Sequence, residues 1–214
     1  MKDFHLYVIL DRTSQKGRSF VDVAKEAILG GADVIQLRDK EFSTKQIIEE
    51  GKKLRQLTRQ TGTILIVNDR VDIALAVEAD GVHLGQEDLP LKNARRRLGA
   101  HKIIGRSTHD LSQALKAQEE GADYIGVGPV FATPTKPAYP AVGLDLVRQV
   151  NLRIGIPFVA IGGINVNNIH QVLSAGARRV AVVRAVAGAE DIRSAAKALT
   201  ELLQKNNHSA SVVI

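Results

Sequence analysis

The most constraining feature of this chain is a rhythm: apolar runs of five to seven residues alternate with amphipathic segments of ten or more, from the N-terminus almost to the end. Such spacing predicts parallel strands joined by crossover helices. Strands are expected at Phe4–Leu10, Val34–Arg38, Ile64–Asn68, Gly81–Leu84, Ile103–Ser107, Tyr124–Val127, Phe158–Ile161 and Val180–Val183. Helices are expected around Phe20–Leu29, Thr44–Arg59, Arg70–Glu78, Leu89–Leu98, Leu111–Glu120, Leu144–Asn151, Val166–Ala175 and Ile192–Leu203. Eight of each is the count of a closed (β/α)8 TIM barrel, an α/β fold of one domain. An open doubly wound sheet would alternate too, but it commonly carries a dinucleotide fingerprint, and this chain has none.

A recurring phrase supports the repeat. Gly31-Ala32-Asp33 precedes Val34, Glu78-Ala79-Asp80 precedes Gly81, Gly121-Ala122-Asp123 precedes Tyr124, and Gly176-Ala177-Arg178 comes just before Val180. Glycine closes a helix in the left-handed conformation, after which the chain enters the next strand. The barrel is expected over residues 1–205, and 206–214, which lack a helical period, as a loose tail.

With 214 residues, 44% of them hydrophobic, the chain buries one large core. The absence of cysteine removes disulfide and thiolate chemistry and suits a reducing cytosol. Met1-Lys2-Asp3 carries an acid, the run Phe4–Leu10 is short for a signal core, and no run approaches the ~20 apolar residues of a membrane span. A soluble, cytoplasmic protein without a membrane partner is expected, and the sequence leaves a homo-oligomer open. Lysine and arginine exceed acids by 29 to 23, a net charge of +6 that is scattered except for Arg95-Arg96-Arg97. Scatter favours a small anionic substrate over nucleic acid, which calls for a basic stripe interleaved with aromatics. The triplet reads as a solvated face of the segment Leu91–Leu98.

In a barrel the active face lies at the C-terminal ends of the strands. There the sequence offers Gln36, Arg38 and Lys40, whose period of two aims them to one side. Next come Asn68 and Asp69, then His83, Gln86, Glu87 and Asp88, then Arg106-Ser107-Thr108-His109. The sixth strand ends in Gly128–Pro137, where Thr133, Thr135 and Lys136 stand among prolines, an arrangement suited to anion binding. Gly162-Gly163 and the eighth strand's end occupy the place where barrels bind phosphate on bare backbone N–H groups.

Asp69 and Asp88 end adjacent strands. Two carboxylates beside phosphate-binding groups suit Mg²⁺; on spacing alone, helix capping is the more ordinary reading of both. His83 reads as a hydrogen-bonded core histidine, with no zinc site around it. Arg38, Lys40 and Lys136 are many cations for a single phosphate, whereas a departing pyrophosphate would use them all. The chemistry inferred is substitution at a carbon bearing pyrophosphate, with a second, monophosphorylated substrate at Gly163 and Val183-Arg184.

Five stretches together resemble the thiamine-phosphate synthase family: Gln36-Leu37-Arg38-Asp39-Lys40, Val67-Asn68-Asp69-Arg70, Asp80 to Asp88, the Gly128–Lys136 loop, and Ala160-Ile161-Gly162-Gly163-Ile164. The resemblance implies a barrel enzyme that joins hydroxymethylpyrimidine pyrophosphate to a thiazole phosphate, using Mg²⁺ and releasing pyrophosphate through a pyrimidine carbocation. It implies that Gln36, Leu37, Arg38, Asp39, Lys40, Asn68, Ser107 and Lys136 hold the pyrimidine pyrophosphate, with Arg38, Lys40, Asn68 and Lys136 catalytic. It further implies that Asp69 and Asp88 bind the metal, and that Thr133, Pro134, Thr135, Gly163, Val183 and Arg184 hold the thiazole phosphate. Asp39, Arg106 and Arg184 depart from the family's usual residues, which leaves details of the thiazole site open. A thiazole tautomerase of the same barrel would not need the cation and aspartate set that this chain keeps, and a degraded cation set would instead have favoured a non-catalytic binder of a thiamine precursor.

Overall fold

In this computed structural model, which describes residues 4–134 and 140–210, eight parallel strands close into a barrel in sequence order. They are β1 Leu6–Asp11, β2 Val34–Arg38, β3 Ile64–Asn68, β4 Gly81–Leu84, β5 Ile103–Thr108, β6 Tyr124–Val127, β7 Phe158–Ile161 and β8 Val180–Val182. The connecting helices are α1 Phe20–Leu29, α2 Thr44–Thr61, α3 Val71–Ala76, α4 Leu91–Leu98, α5 Leu111–Glu119, α6 Gly143–Arg153 and α7 Ile169–Ser174, followed after β8 by α8 Arg184–Ala187 and α9 Ile192–Ala210.

Strand pleating divides the core in two. Leu6, Val8 and Leu10 face outward into the layer shared with the helices, while Tyr7 and Ile9 face inward to meet Phe4, Val34, Ile66, Tyr124 and Val159. Both faces of every strand are thus covered, and this is why the runs read as continuously apolar. Helix starts follow from side-chain caps: Ser19 accepts from the Asp22 amide, Asp110 from that of Gln113, and Ser43 with Gln46 forms a capping box.

The recurring phrase does more than turn the chain. Gly31, Gly121 and Gly176 adopt positive φ, as expected, and so does Glu78 in the one copy without glycine. The aspartate that follows is a staple between strands. Asp33 accepts from the amides of His5 and Leu6 (2.7 and 3.0 Å), Asp80 from Leu65 (2.8 Å), and Asp123 from Ile104 (2.7 Å). Each of these locks an even-numbered strand to its predecessor at the barrel floor. Arg178 occupies the aspartate's place in the fourth copy.

Several expectations are corrected. Of the segment 206–214, expected to be loose, residues 206–210 continue α9 and 211–214 lie outside the described residues: Ala196, Leu199 and Leu203 bury one face of that helix, and a helix already nucleated propagates through weak formers. Helices α3 and α7 are shorter than expected, and β8 yields at Val183 to the unanticipated α8. Arg95 is not a solvated residue: it pairs with Asp123 (2.6 Å) and donates to the Lys102 carbonyl, whereas Arg96 and Arg97 are exposed. Among the described residues, no helix is long and apolar enough to cross a membrane.

Candidate active site

A cavity of about 500 Å³ opens at the C-terminal mouth of the barrel. Gln36, Arg38, Asn68 and Ser107 line one side, and Thr133, Pro134, Gly163, Val183 and Arg184 the other. The structure therefore brings together two sets of residues that the sequence separates by as much as 148 positions (Gln36 to Arg184). Thr135 and Lys136 lie outside the described residues.

Arg38 is held in place by Asp11, its register partner across β1 and β2, through an ion pair. Asp11 is itself buried and accepts from the Thr13 amide (3.1 Å) and hydroxyl (2.5 Å). Beyond Arg38, the side chains of two expected contacts point away. Leu37 is fully buried against the helix layer, where it meets α2 near Gly51. Asp39 turns into its own loop and accepts from the amides of Glu41 (2.8 Å) and Phe42 (2.7 Å). Only their backbone groups remain available to a ligand. Lys40 is exposed outside the cavity lining, close enough to Asp69 to act on its charge.

Asp69 and Asp88 meet side by side at the rim. Asp69 takes φ of 60°, and its amide donates to the carbonyl of His83 (2.8 Å). Burial, then a hydrogen bond that the protonated Asp69 carboxyl donates to Asp88 and that residue's charge, push the Asp69 carboxyl up to about 6, against the pull of Lys40 and Arg38. Asp88 accepts from the Gly85 amide (2.6 Å). Neither carboxylate caps a helix: Arg70 and Pro90 stand at the starts of α3 and α4, and neither start has a side-chain cap. Two carboxylates pressed together without a capping duty repel a second negative charge. Among the described residues no group of three or more histidines or acids could hold a metal.

The loop carrying Asp88 is tied from below. Buried Arg106 donates to the carbonyls of Gln86 (3.1 Å) and Leu89 (3.5 Å), and Gln86 donates to that of Ser107 (2.5 Å). Across the cavity, Gly162 and Gly163 both hold positive φ. A Cβ on Gly163 would stand 2.8 Å from the Ala132 carbonyl and from Phe131 Cβ, so glycine is required by the fold as well as offered to a ligand. The Gly163 carbonyl accepts from Asn165 (3.3 Å) and Asn168 (2.9 Å).

The sequence reading passes over Asp11, Tyr7 and Tyr124. Asp11 carries a signal, a charged residue closing an apolar run; the tyrosines carry none, because an inward strand aromatic reads as core. His83 is hydrogen-bonded as expected, through both ring nitrogens, to Tyr124 and Ser107, but it is half-buried and lines the cavity rather than the core.

Fold and site define a class, a (β/α)8 barrel with a cavity at the face where enzymes of this fold carry their chemistry. The sequence profile of the family described as thiamine monophosphate synthase matches residues 6–186. A thiamine-phosphate synthase of Chloroflexus aurantiacus is 52% identical over 209 residues, covering 97% of this chain and 96% of the relative. One from Halalkalibacterium halodurans is 46% identical, covering 96% and 98%. The solved structure of thiamine phosphate pyrophosphorylase from Pyrococcus furiosus superposes with a TM-score of 0.88 at 44% identity, covering 95% of this chain and 96% of that one. The chain belongs to the thiamine monophosphate synthase family.

Proposed function

We propose that the chain is a transferase of thiamine biosynthesis that joins hydroxymethylpyrimidine pyrophosphate to thiazole phosphate, or its carboxylate, releasing thiamine phosphate and pyrophosphate. The observation that carries this reading is the Asp69–Asp88 contact, close to Arg38 and Lys40 at the rim of a cavity whose far side is lined by Gly162 and Gly163. One end suits a pyrophosphate with its cation, the other a monophosphate.

Asp69 and Asp88 would hold Mg²⁺, which when bound neutralises charge building on the leaving group. Arg38, oriented by Asp11, and Lys40 add fixed positive charge, and Lys136 supplies a third cation by resemblance. Asn68, Gln36 and Ser107 hold the pyrimidine ring; Thr133, Pro134, Thr135, Gly163 and the Val183–Arg184 backbone hold the thiazole phosphate. In the reaction the pyrimidine methylene C–O bond breaks with its electron pair leaving on pyrophosphate, and the thiazole nitrogen donates its lone pair to the resulting cation. The cations favour the state in which the leaving group carries most charge.

The test is direct. Purified chain, both substrates and Mg²⁺ should yield thiamine phosphate and pyrophosphate in equal amounts, and EDTA should stop the reaction. No product with both substrates present would overturn the reading, and undiminished turnover in EDTA would remove the metal from it.

A further inference from the structure

Tyr7, Tyr124 and His83 have no part in the reaction above, yet they form one hydrogen-bonded row across the barrel interior. Gln36 Nε2 donates to the Tyr7 hydroxyl at 2.6 Å, and the hydroxyls of Tyr7 and Tyr124 meet at 3.0 Å. Tyr124 meets His83 Nδ1 at 2.9 Å, and His83 Nε2 meets Ser107 Oγ at 2.9 Å. The row starts on β2, passes through β1, β6 and β4, and ends on β5, and all five residues line the cavity.

Gln36 sets the direction of every proton in the row. An amide nitrogen only donates, so the Tyr7 oxygen is an acceptor at that contact. Burial raises the pKa of both phenols, which therefore each have a proton to place. Tyr7 is 2% exposed. Were Tyr124 to donate to it, the Tyr7 proton would be buried without a partner, a cost well above that of the opposite arrangement. Tyr7 therefore donates to Tyr124, and Tyr124 to His83 Nδ1. That leaves His83 neutral with its proton on Nε2, directed at Ser107 Oγ. Ser107 keeps its own hydroxyl proton for the cavity. At the other end, Gln36 Oε1 accepts no hydrogen bond among the described residues and is not among the buried unpartnered atoms, so it meets the cavity as an acceptor.

We propose that Tyr7, Tyr124 and His83 are positioning residues of a directional relay, which fixes Gln36 as an acceptor and Ser107 as a donor toward a heterocycle carrying the reverse pair. An exocyclic amine and a ring nitrogen, as on an aminopyrimidine, are such a pair. The choice of heterocycle rests on the function proposed above; the relay does not.

Two measurements decide it. ¹⁵N NMR of the full chain with labelled histidine, assigned by the signal lost in His83→Gln, should show a neutral His83 ring protonated on Nε2. A ring protonated on Nδ1, or on both nitrogens, overturns the relay. Calorimetry with the aminopyrimidine alcohol and its oxo counterpart then reads specificity. Tyr7→Phe frees the Gln36 amide to rotate and should reduce the preference for the amine about tenfold, the worth of roughly one hydrogen bond. An unchanged preference overturns the specificity role. If Tyr7→Phe fails to fold, the tautomer in the unaltered chain still decides. If the unaltered chain binds neither compound, the substrate reading fails and the tautomer alone judges the relay.

Discussion

Asp69 concentrates the site's tension in one residue. It holds a positive φ without being glycine and presses its carboxyl against that of Asp88, and such arrangements persist only where the surroundings enforce them. Asp69→Asn keeps the shape and removes the charge. Steady-state turnover is expected to fall by roughly 2 orders of magnitude or more, the scale of losing an electrostatic stabiliser; a rate near that of the unaltered chain would remove Asp69 from the chemistry. Arg184 is the complementary case, an exposed cation that lines the cavity beside Gly163. Arg184→Ala should raise the KM for thiazole phosphate and leave that for the pyrimidine pyrophosphate nearly unchanged, the pattern of an interaction with one ligand only. An equal effect on both substrates, or none, would count against the placement. At this scale the sequence is legible where side chains act alone: paired aspartates, a basic strand end, glycines. It is silent on orientation: the structure turns the Leu37 side chain into the helix layer and that of Asp39 into its own loop, which leaves only their backbone groups for the contacts that the resemblance implies.

The elements were legible from period and punctuation, and their limits follow from the same physics. Strand positions came from runs that stay apolar because both faces are buried, and every strand appears in the barrel. Boundaries slipped where one polar residue still belongs to the sheet, as Asp11 does on β1 and Thr108 on β5. The four residues of α8 are too few to show a period of 3.6. The αβ corners were read as glycine turns, but the aspartates following them do the joining. Asp33→Ala would leave the amides of His5 and Leu6 without their charged acceptor, at a cost of about 2–3 kcal/mol. For a chain of this size the melting temperature should then drop by roughly 4–12 °C. A calorimetric scan showing no change would mean that water replaces the staple without loss.

For the whole molecule, the closed barrel turns one linear order of strand ends into a ring, so that groups from β2 to β5 face groups from β6 to β8 across one cavity. That geometry suits two phosphorylated halves brought together with their reactive carbon and nitrogen between them. If ionisation precedes capture, an electron-withdrawing CF3 in place of the pyrimidine methyl should slow turnover strongly with little change in KM. A CF3 substrate that reacts as fast as the natural one, with chemistry rate-limiting, would mean that the thiazole nitrogen attacks before pyrophosphate leaves. The most direct test of the division of the cavity is a crystal structure of the chain with Mg²⁺, pyrophosphate and thiamine phosphate. The pyrophosphate should lie against Arg38, Lys40 and the Asp69–Asp88 pair, and the phosphate of thiamine phosphate against Gly163 and Val183–Arg184. Pyrophosphate at the glycine end, or thiamine phosphate with its phosphate at the aspartates, would contradict the assignment.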